Sequence, residues 1–262
     1  MPATPAERHK AAFSDEEAPR PPSFDEEDGL SETSWIRKMD RISADEDSQI
    51  ERFNQERLNS MLAVDEMVGS LIQELEEAGE LDNTFVFFTS DNGFHVGEHR
   101  IKFGKRTPYE ESARVPFFVR GPGVPSDSKV EKLTLNTDFA STFAELAGVE
   151  FPADGRSLAP LLGGDEETSS WRTAILFEEF ASEEARGEQA NQPNYQAVRT
   201  ETHKYVEYDN GDTELYDLQA DPHELESFHE SAEPSVVKDL KATLDALKSC
   251  SKEGCQEAEQ DS

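Results

Sequence analysis

The stretch from Ser90 to Lys105 (SDNGFHVGEHRIKFGK) holds the densest set of groups able to do chemistry. Asp91 and Asn92 place an anionic and a neutral oxygen side by side, a donor pair that suits a hard cation such as Ca2+ or Mg2+. Gly93 allows the chain to turn sharply after them. Lys105, with Arg106 beside it, supplies positive charge for an anionic oxygen. On spacing alone, Asp-Asn-Gly is also a common turn tripeptide, and both readings stand at this level. His95 and His99 are weaker candidates. Each has the chemistry of an acid or a substrate contact, and each is also suited to holding the loop by hydrogen bonds, which is the favoured reading. Glu110 and Glu111 are expected to begin a helix and pair with Arg114. Asp138 is expected to act as a first-turn acid on its helix dipole.

These groups need elements to position them. Thr84 to Thr89 (TFVFFT) is a short continuous apolar run, expected as a buried strand of a parallel sheet. Asp91 and Asn92 then lie just past its C-terminal end, where open α/β sheets bind ligands. Upstream, Ser43 and Glu46 form a capping box, and apolar residues from Ile50 to Leu75 recur at helical spacing, so a helix is expected over 44–78 with Gly79 as its stop. A strand is expected at 115–119, ended by Gly121-Pro122-Gly123. A helix capped by Thr137 follows and closes at Gly148, with a short apolar segment at 158–162. Beyond residue 170 the texture changes to strands at 174–177, 195–200, 203–208 and 213–217. Asn210-Gly211 forms a hairpin turn between the last two. A final helix is expected over 233–247. The fold class is α/β with a small C-terminal antiparallel sheet plus helix. The expected organisation is an extended irregular segment (1–34), an α/β part (35–165), an antiparallel subdomain (166–250) and a polar tail (251–262). His203, His223 and His229 read as surface or structural.

Composition narrows the partners. Among 262 residues, 57 Asp+Glu face 25 Lys+Arg, a formal net charge of -32, so phosphate backbones and anionic membrane surfaces are repelled. Nucleic acid and membrane are therefore not expected as partners. The acids are spread along the chain, which favours a solvated, salt-adapted (halophilic) surface over an acidic interaction tail. The two cysteines, Cys250 and Cys255, are read as incidental, a short-loop disulfide being the alternative. No four-ligand Cys/His zinc pattern occurs. The first residues show no signal-peptide core, and no apolar run reaches membrane-spanning length.

Four ordered segments carry a resemblance to a known family: LAVDEMVGSLIQELEEAGELDNTFVFFTSDNGFHVGEHR with GKRTPYEESARVPFFVRGPGV, NTDFASTFAELAGV, DGRSLAPLL, and ELYDLQADPHEL. Together they resemble the sulfatases of the alkaline-phosphatase-like superfamily, in the branch of arylsulfatases and N-acetylglucosamine-6-sulfatases. The resemblance implies that Asp91 and Asn92 ligate a divalent cation, usually Ca2+, and that Lys105 contacts the sulfate group. Asp217 and Asp221 would lie in the turn leading out of the family's terminal sheet. It also implies a formylglycine nucleophile and a sulfate ester of a sugar or aryl compound as substrate. The chain departs from the family pattern in two ways: it contains no Cys-x-Pro-Ser-Arg motif and no adjacent Asp-Asp pair. Residues 2–13 resemble the segment just after a family catalytic histidine, so His9 is only its downstream neighbour. The resulting expectation is a fragment of a sulfuric ester hydrolase, inactive alone. The alternatives are a non-catalytic pseudoenzyme or partner of a complete sulfatase, and a phosphoester or phosphonate hydrolase on the same fold.

Overall fold

A computed structural model of the chain describes residues 3–27, 33, 35–164, 171–182 and 192–260. Helix α1 runs Ala44–Glu77, and its capping box closes in both directions, Ser43 N to Glu46 Oε2 at 3.0 Å and Glu46 N to Ser43 Oγ at 3.4 Å. The N-terminal segment lies along this helix. Asn59 is the fastener, accepting from Phe13 N at 3.0 Å and donating to Lys10 O at 3.3 Å, while Ala18 N donates to Glu51 Oε2 at 2.7 Å. Much of the apolar stripe of α1 is nevertheless open, with Met67 54% and Leu71 55% exposed.

Strands β1 (Val86–Thr89) and β2 (Phe117–Arg120) pair antiparallel, Val86 opposite Arg120 and Thr89 opposite Phe117. This corrects the expected buried strand of a parallel sheet. The chain leaves the end of β1, loops through residues 90–116 and re-enters the sheet from the same end, so no crossover is made. Every residue of β1 is partly exposed. One face packs Phe87 against Phe117 and against Phe143 of helix α3 (Asp138–Leu146). A short helix α2 (Glu110–Ala113) precedes β2, and α4 (Ala159–Leu162) follows α3.

Thr137 occupies the N-cap of α3 but makes no side-chain cap bond. The carboxylate of Asp138 satisfies this corner instead. It accepts from Leu135 N at 2.7 Å and Arg156 N at 3.0 Å, and from both Nη atoms of buried Arg172 at 2.6 and 2.7 Å. Asp138 is thus a buried ion-pair partner, not merely an acid on a helix dipole.

The C-terminal sheet has the order β3-β4-β5-β6, all antiparallel, from Ala174–Glu179, Tyr195–Thr200, His203–Tyr208 and Thr213–Asp217. The Asn210-Gly211 turn joins the last two, with Gly211 at φ 90° as such a turn requires. Alternation divides the sheet cleanly. Val198, Tyr205 and Leu215 face Leu240, Leu244 and Leu247 of helix α5 (Pro234–Ser249). Tyr195, Ala197, Tyr208 and Tyr216 face the opposite way, onto Trp35, Ile36, Ile101 and Tyr109. The loop that carries the candidate site is therefore packed against the back of this sheet.

The cysteines are not incidental: Cys250 and Cys255 form a disulfide. The expected polar tail is correspondingly docked. Helix α6 (Glu253–Ala258) leads to Glu259, whose Oε2 accepts from Arg156 Nε at 3.1 Å and Arg172 Nε at 3.0 Å. Glu259 is the ion-pair partner of Arg156 and a second carboxylate for Arg172, already paired with Asp138, and these buried contacts hold the polar segment. No helix among the described residues is long and apolar enough to cross a membrane.

Candidate functional site

Asp91 and Asn92 follow the last residue of β1, Thr89, after one intervening residue, Ser90. Asp91 is exposed, and its Oδ1 accepts from Asn92 N at 2.9 Å. Asn92 donates Nδ2 to Gly93 O at 2.7 Å, which turns its Oδ1 towards Lys105, whose Nζ donates to it at 2.9 Å. The three residues singled out in the sequence are therefore brought together. Gly93 is needed for a different reason than a sharp turn. Its N donates to Ser112 O at 2.8 Å, and a Cβ there would lie 2.0 Å from the carbonyl oxygen of Glu111.

The return of Lys105 to Asn92 depends on the loop between them. His95 N donates to Gly104 O at 2.7 Å and pins the base of the loop. Gly97, His99 and Arg100 turn its tip with φ of 109°, 51° and 59°. The tip is laced to the N-terminal segment: His99 N donates to Ser23 O at 2.7 Å, Asp25 N to Gly97 O at 3.0 Å, and Arg100 Nη2 to Glu26 O at 2.9 Å. Gly97 also lets the ring of Phe24 approach, since a Cβ would meet it at 2.1 Å.

Neither histidine of the loop faces solvent. His95 is 0% exposed, and its Nε2 lies 2.7 Å from Thr107 Oγ1. Burial, helped by the neighbouring charge of His99, pushes its pKa down to about 3, so the ring is neutral and serves the loop. His99 is stacked on Tyr109 and sits between two carboxylates, Nδ1 to Glu26 Oε1 at 3.3 Å and Nε2 to Glu111 Oε2 at 3.5 Å. Burial opposes its charge, but Glu111 and Glu26 outweigh burial and hold the pKa up at about 10. The loop is thus fastened by a buried imidazolium.

Glu110 and Glu111 do begin a helix, but they do not pair with Arg114. Glu111 faces His99 and accepts from Ser23 Oγ at 2.9 Å. Glu110 takes Arg199 Nε at 3.0 Å and fully buried Lys204 Nζ at 2.9 Å, and Lys204 reaches Glu224 Oε1 at 2.7 Å. Tyr109 and Tyr208 both donate to buried Glu214 at 2.9 Å. Arg106 pairs with Glu179, and Gln192 Nε2 donates to Arg106 O at 2.6 Å. These supports, along with Ser23 and Glu26, escape sequence reasoning. The available signal was charge within strands, Lys204 just before Tyr205-Val206 and Glu214 just before Leu215-Tyr216. His203 and His229 bond Thr202 and Thr213 at 2.8 and 3.0 Å, in structural roles.

The donor chemistry at Asp91 and Asn92 fits a hard cation: both are oxygen ligands, and the Asn92 oxygen already faces a positive group. Two oxygens supply only part of a shell, and no cluster of three or more His, Cys, Asp or Glu arranged for a metal exists among the described residues. Formylglycine does not fit the residues present. Both cysteines are in the disulfide and are followed by Ser-Lys and Gln-Glu.

The fold that sets an Asp-Asn pair and an answering lysine beyond a strand of an α/β unit, with an antiparallel sheet behind them, is the alkaline-phosphatase-like one of its solved structural neighbours. A solved structure of a protein in complex with its substrate D-glucosamine-2-N,6-O-disulfate matches 98% of this chain and 64% of its own, with TM-score 0.82 and 25% identity. The family model for sulfatases matches residues 7–149, and that for the C-terminal part of N-sulphoglucosamine sulphohydrolase matches 97–250. The chain belongs to the sulfatase family. It is 38% identical over 189 residues to an N-acetylglucosamine-6-O-sulfatase of Bacteroides thetaiotaomicron, covering 70% of this chain and 33% of that protein. It is 31% identical over 287 residues to the N-acetylglucosamine-6-sulfatase of Capra hircus, covering 97% and 51%. The chain thus spans a third to a half of the length of these relatives.

Proposed function

We propose that this chain forms the C-terminal portion of a sulfuric ester hydrolase, and that Asp91, Asn92 and Lys105 form its share of a sulfate-ester site. The observation that carries the reading is the 2.9 Å contact of Lys105 Nζ with Asn92 Oδ1, which sets a cation and a cation-seeking oxygen at one point beyond β1. Asp91 and Asn92 would hold Ca2+, with Mg2+ the second choice, and further oxygens must complete a shell of about six to eight. A bound cation would offset negative charge on the ester oxygens. Lys105 would bind a non-bridging sulfate oxygen and stabilise charge there as the bridging oxygen departs. The loop fastened by His95 and His99 would keep Lys105 oriented, so little reorganisation is needed when the ester arrives. No residue of this chain fits the precursor of formylglycine. The substrate would be a sulfate ester of a sugar or of an aryl compound, since similar relatives carry both kinds of name.

The test is a chimera joining the unmatched N-terminal part of the Bacteroides relative to this chain. Hydrolysis of N-acetylglucosamine 6-sulfate by the chimera, lost by roughly a hundredfold or more in both Asp91→Ala and Lys105→Ala, supports the reading. A folded chimera whose activity ignores both substitutions would overturn it. The 262-residue chain alone is expected to turn over no aryl sulfate.

A further inference from the structure

On the far side of α3, a cavity of about 580 Å³ lies between the 149–157 loop and the 251–256 segment. That volume falls within the range of about 300–1,000 Å³ typical of small-molecule sites. One wall is apolar, and Phe151 stands in it 56% exposed. Glu253 and the serines at 141, 157 and 251 line it too, with three further polar residues, Glu145, Gln256 and Lys252. None of these three side chains makes a hydrogen bond or ion pair with another described residue.

The walls are fixed to each other. Asp154 Oδ1 accepts from Lys252 N at 2.6 Å, and Arg156 Nη2 donates to Gln256 O at 2.9 Å. The Cys250–Cys255 disulfide closes the segment that carries Lys252. Lys252 itself is held at φ 53°, ψ -129°, a conformation that glycine adopts and other residues avoid.

We propose that this cavity is a second binding site, for a saccharide unit that carries one anionic substituent. A sugar ring offers an apolar C–H face, which an exposed aromatic ring such as Phe151 can cover. Its hydroxyls are both donors and acceptors, which Glu145 and Gln256 match between them. Lys252 supplies one charge for one anion. Densely charged polyanions are disfavoured, because Glu145 and Glu253 share the cavity and the chain carries a net charge of -32. The site is separate from Asp91, Asn92 and Lys105, and it does not depend on ester hydrolysis occurring.

The test is an amide-resolved NMR titration of the 262-residue chain with N-acetylglucosamine 6-sulfate and with unsulfated N-acetylglucosamine. Both sugars should shift the amides of Phe151, Lys252 and Gln256, the sulfated one binding about tenfold tighter. Lys252→Gly should erase that preference while leaving Tm equal or higher, since glycine relieves the backbone. Phe151→Ala, at an exposed position, should weaken both sugars alike. Asp91→Ala should leave these shifts unchanged. The proposal fails if neither sugar moves these amides, if Lys252→Gly keeps the preference, or if Asp91→Ala removes the shifts.

Discussion

The two sheets of this molecule are built from similar apolar strands but are covered very differently. In the four-stranded sheet Ala197, Val198, Val206 and Leu215 are all 0% exposed, with α5 on one face and the candidate-site loop on the other. In the two-stranded sheet no residue of β1 is buried, and Phe118 of β2 is 66% exposed. Yet the candidate site sits at the end of the less covered sheet. Its geometry is kept because the loop from His95 to Glu111 is fastened backwards, by Glu214, Glu224, Lys204 and Glu179, onto the well-covered one. Position comes from one region and rigidity from the other.

Damage to each region in turn should have very different costs. Lys204→Met removes the cation between Glu110 and Glu224, leaving buried Glu224 without its ion-pair partner and Glu110 with Arg199 alone. A loss of about 3–5 kcal/mol is expected. Leu71→Ala, at a half-exposed position of α1, should cost no more than about 0.5 kcal/mol. Urea unfolding of the two variants measures both. Similar losses would mean that the site loop is not held by the C-terminal sheet.

Next in size is the pH dependence of the loop's fastening. His99 has its pKa raised, to about 10, so its stabilisation is complete below the unfolded imidazole value of about 6.5 and is lost as pH rises through 10. His95 is shifted the other way, to about 3, and its neutral burial costs stability as pH falls below the same unfolded value. Glu111, opposed by burial but held by His99 at about 2, adds stabilisation that is present above the ordinary glutamate range and lost as pH falls towards 2. Stability should therefore be greatest near neutrality and decline on both sides. In His99→Gln the alkaline decline between pH 7 and 10 should flatten relative to the parent. An unchanged alkaline limb, read by urea midpoints across that window, would show that the imidazolium is not the fastener.

What the sequence made legible follows the same division. Local signals were read well: the capping box at Ser43, the Asn210-Gly211 turn, and strands 195–200, 203–208 and 213–217, because each is written in adjacent residues. Asp91, Asn92 and Lys105 could be singled out together because one loop carries all three. Long-range pairing was not legible. Antiparallel pairing of β1 depends on which neighbour the chain offers, and periodicity is silent on that. Glu26, Glu179 and Glu214 look like ordinary surface acids until the fold sets cations or hydroxyls against them. Cys250 and Cys255 were misread because a polar neighbourhood suggested a loose tail, whereas buried Arg156 and Arg172 hold that segment through Glu259.

The smallest expected effect, from salt, separates the regions by their helices. α1 carries Glu74, Glu76 and Glu77 in its last turns with no basic residue there, so its own acids oppose the helix dipole. Elsewhere along it, Glu46, Asp47, Glu51 and Glu66 are paired with Lys102, Arg20 and Arg8 from outside the helix, and its own cations are only Arg52 and Arg57 against seven acids there. α5 is balanced by contrast: Lys241 and Lys248 pair with Asp245 and with Glu207, and Lys248 stands in its last turn. KCl screens exposed charges over a Debye length of about 3 Å at 1 M, against about 10 Å at 0.1 M. Raising KCl from low to molar concentration should therefore raise the amide-exchange protection of α1 by a factor of a few, on the order of 0.5–1 kcal/mol, and leave α5 nearly unchanged. Equal gains in both helices would trace the effect to general salting-out of apolar surface instead. No gain in α1 would remove the case for a salt-adapted surface, and the net charge of -32 would then need another explanation.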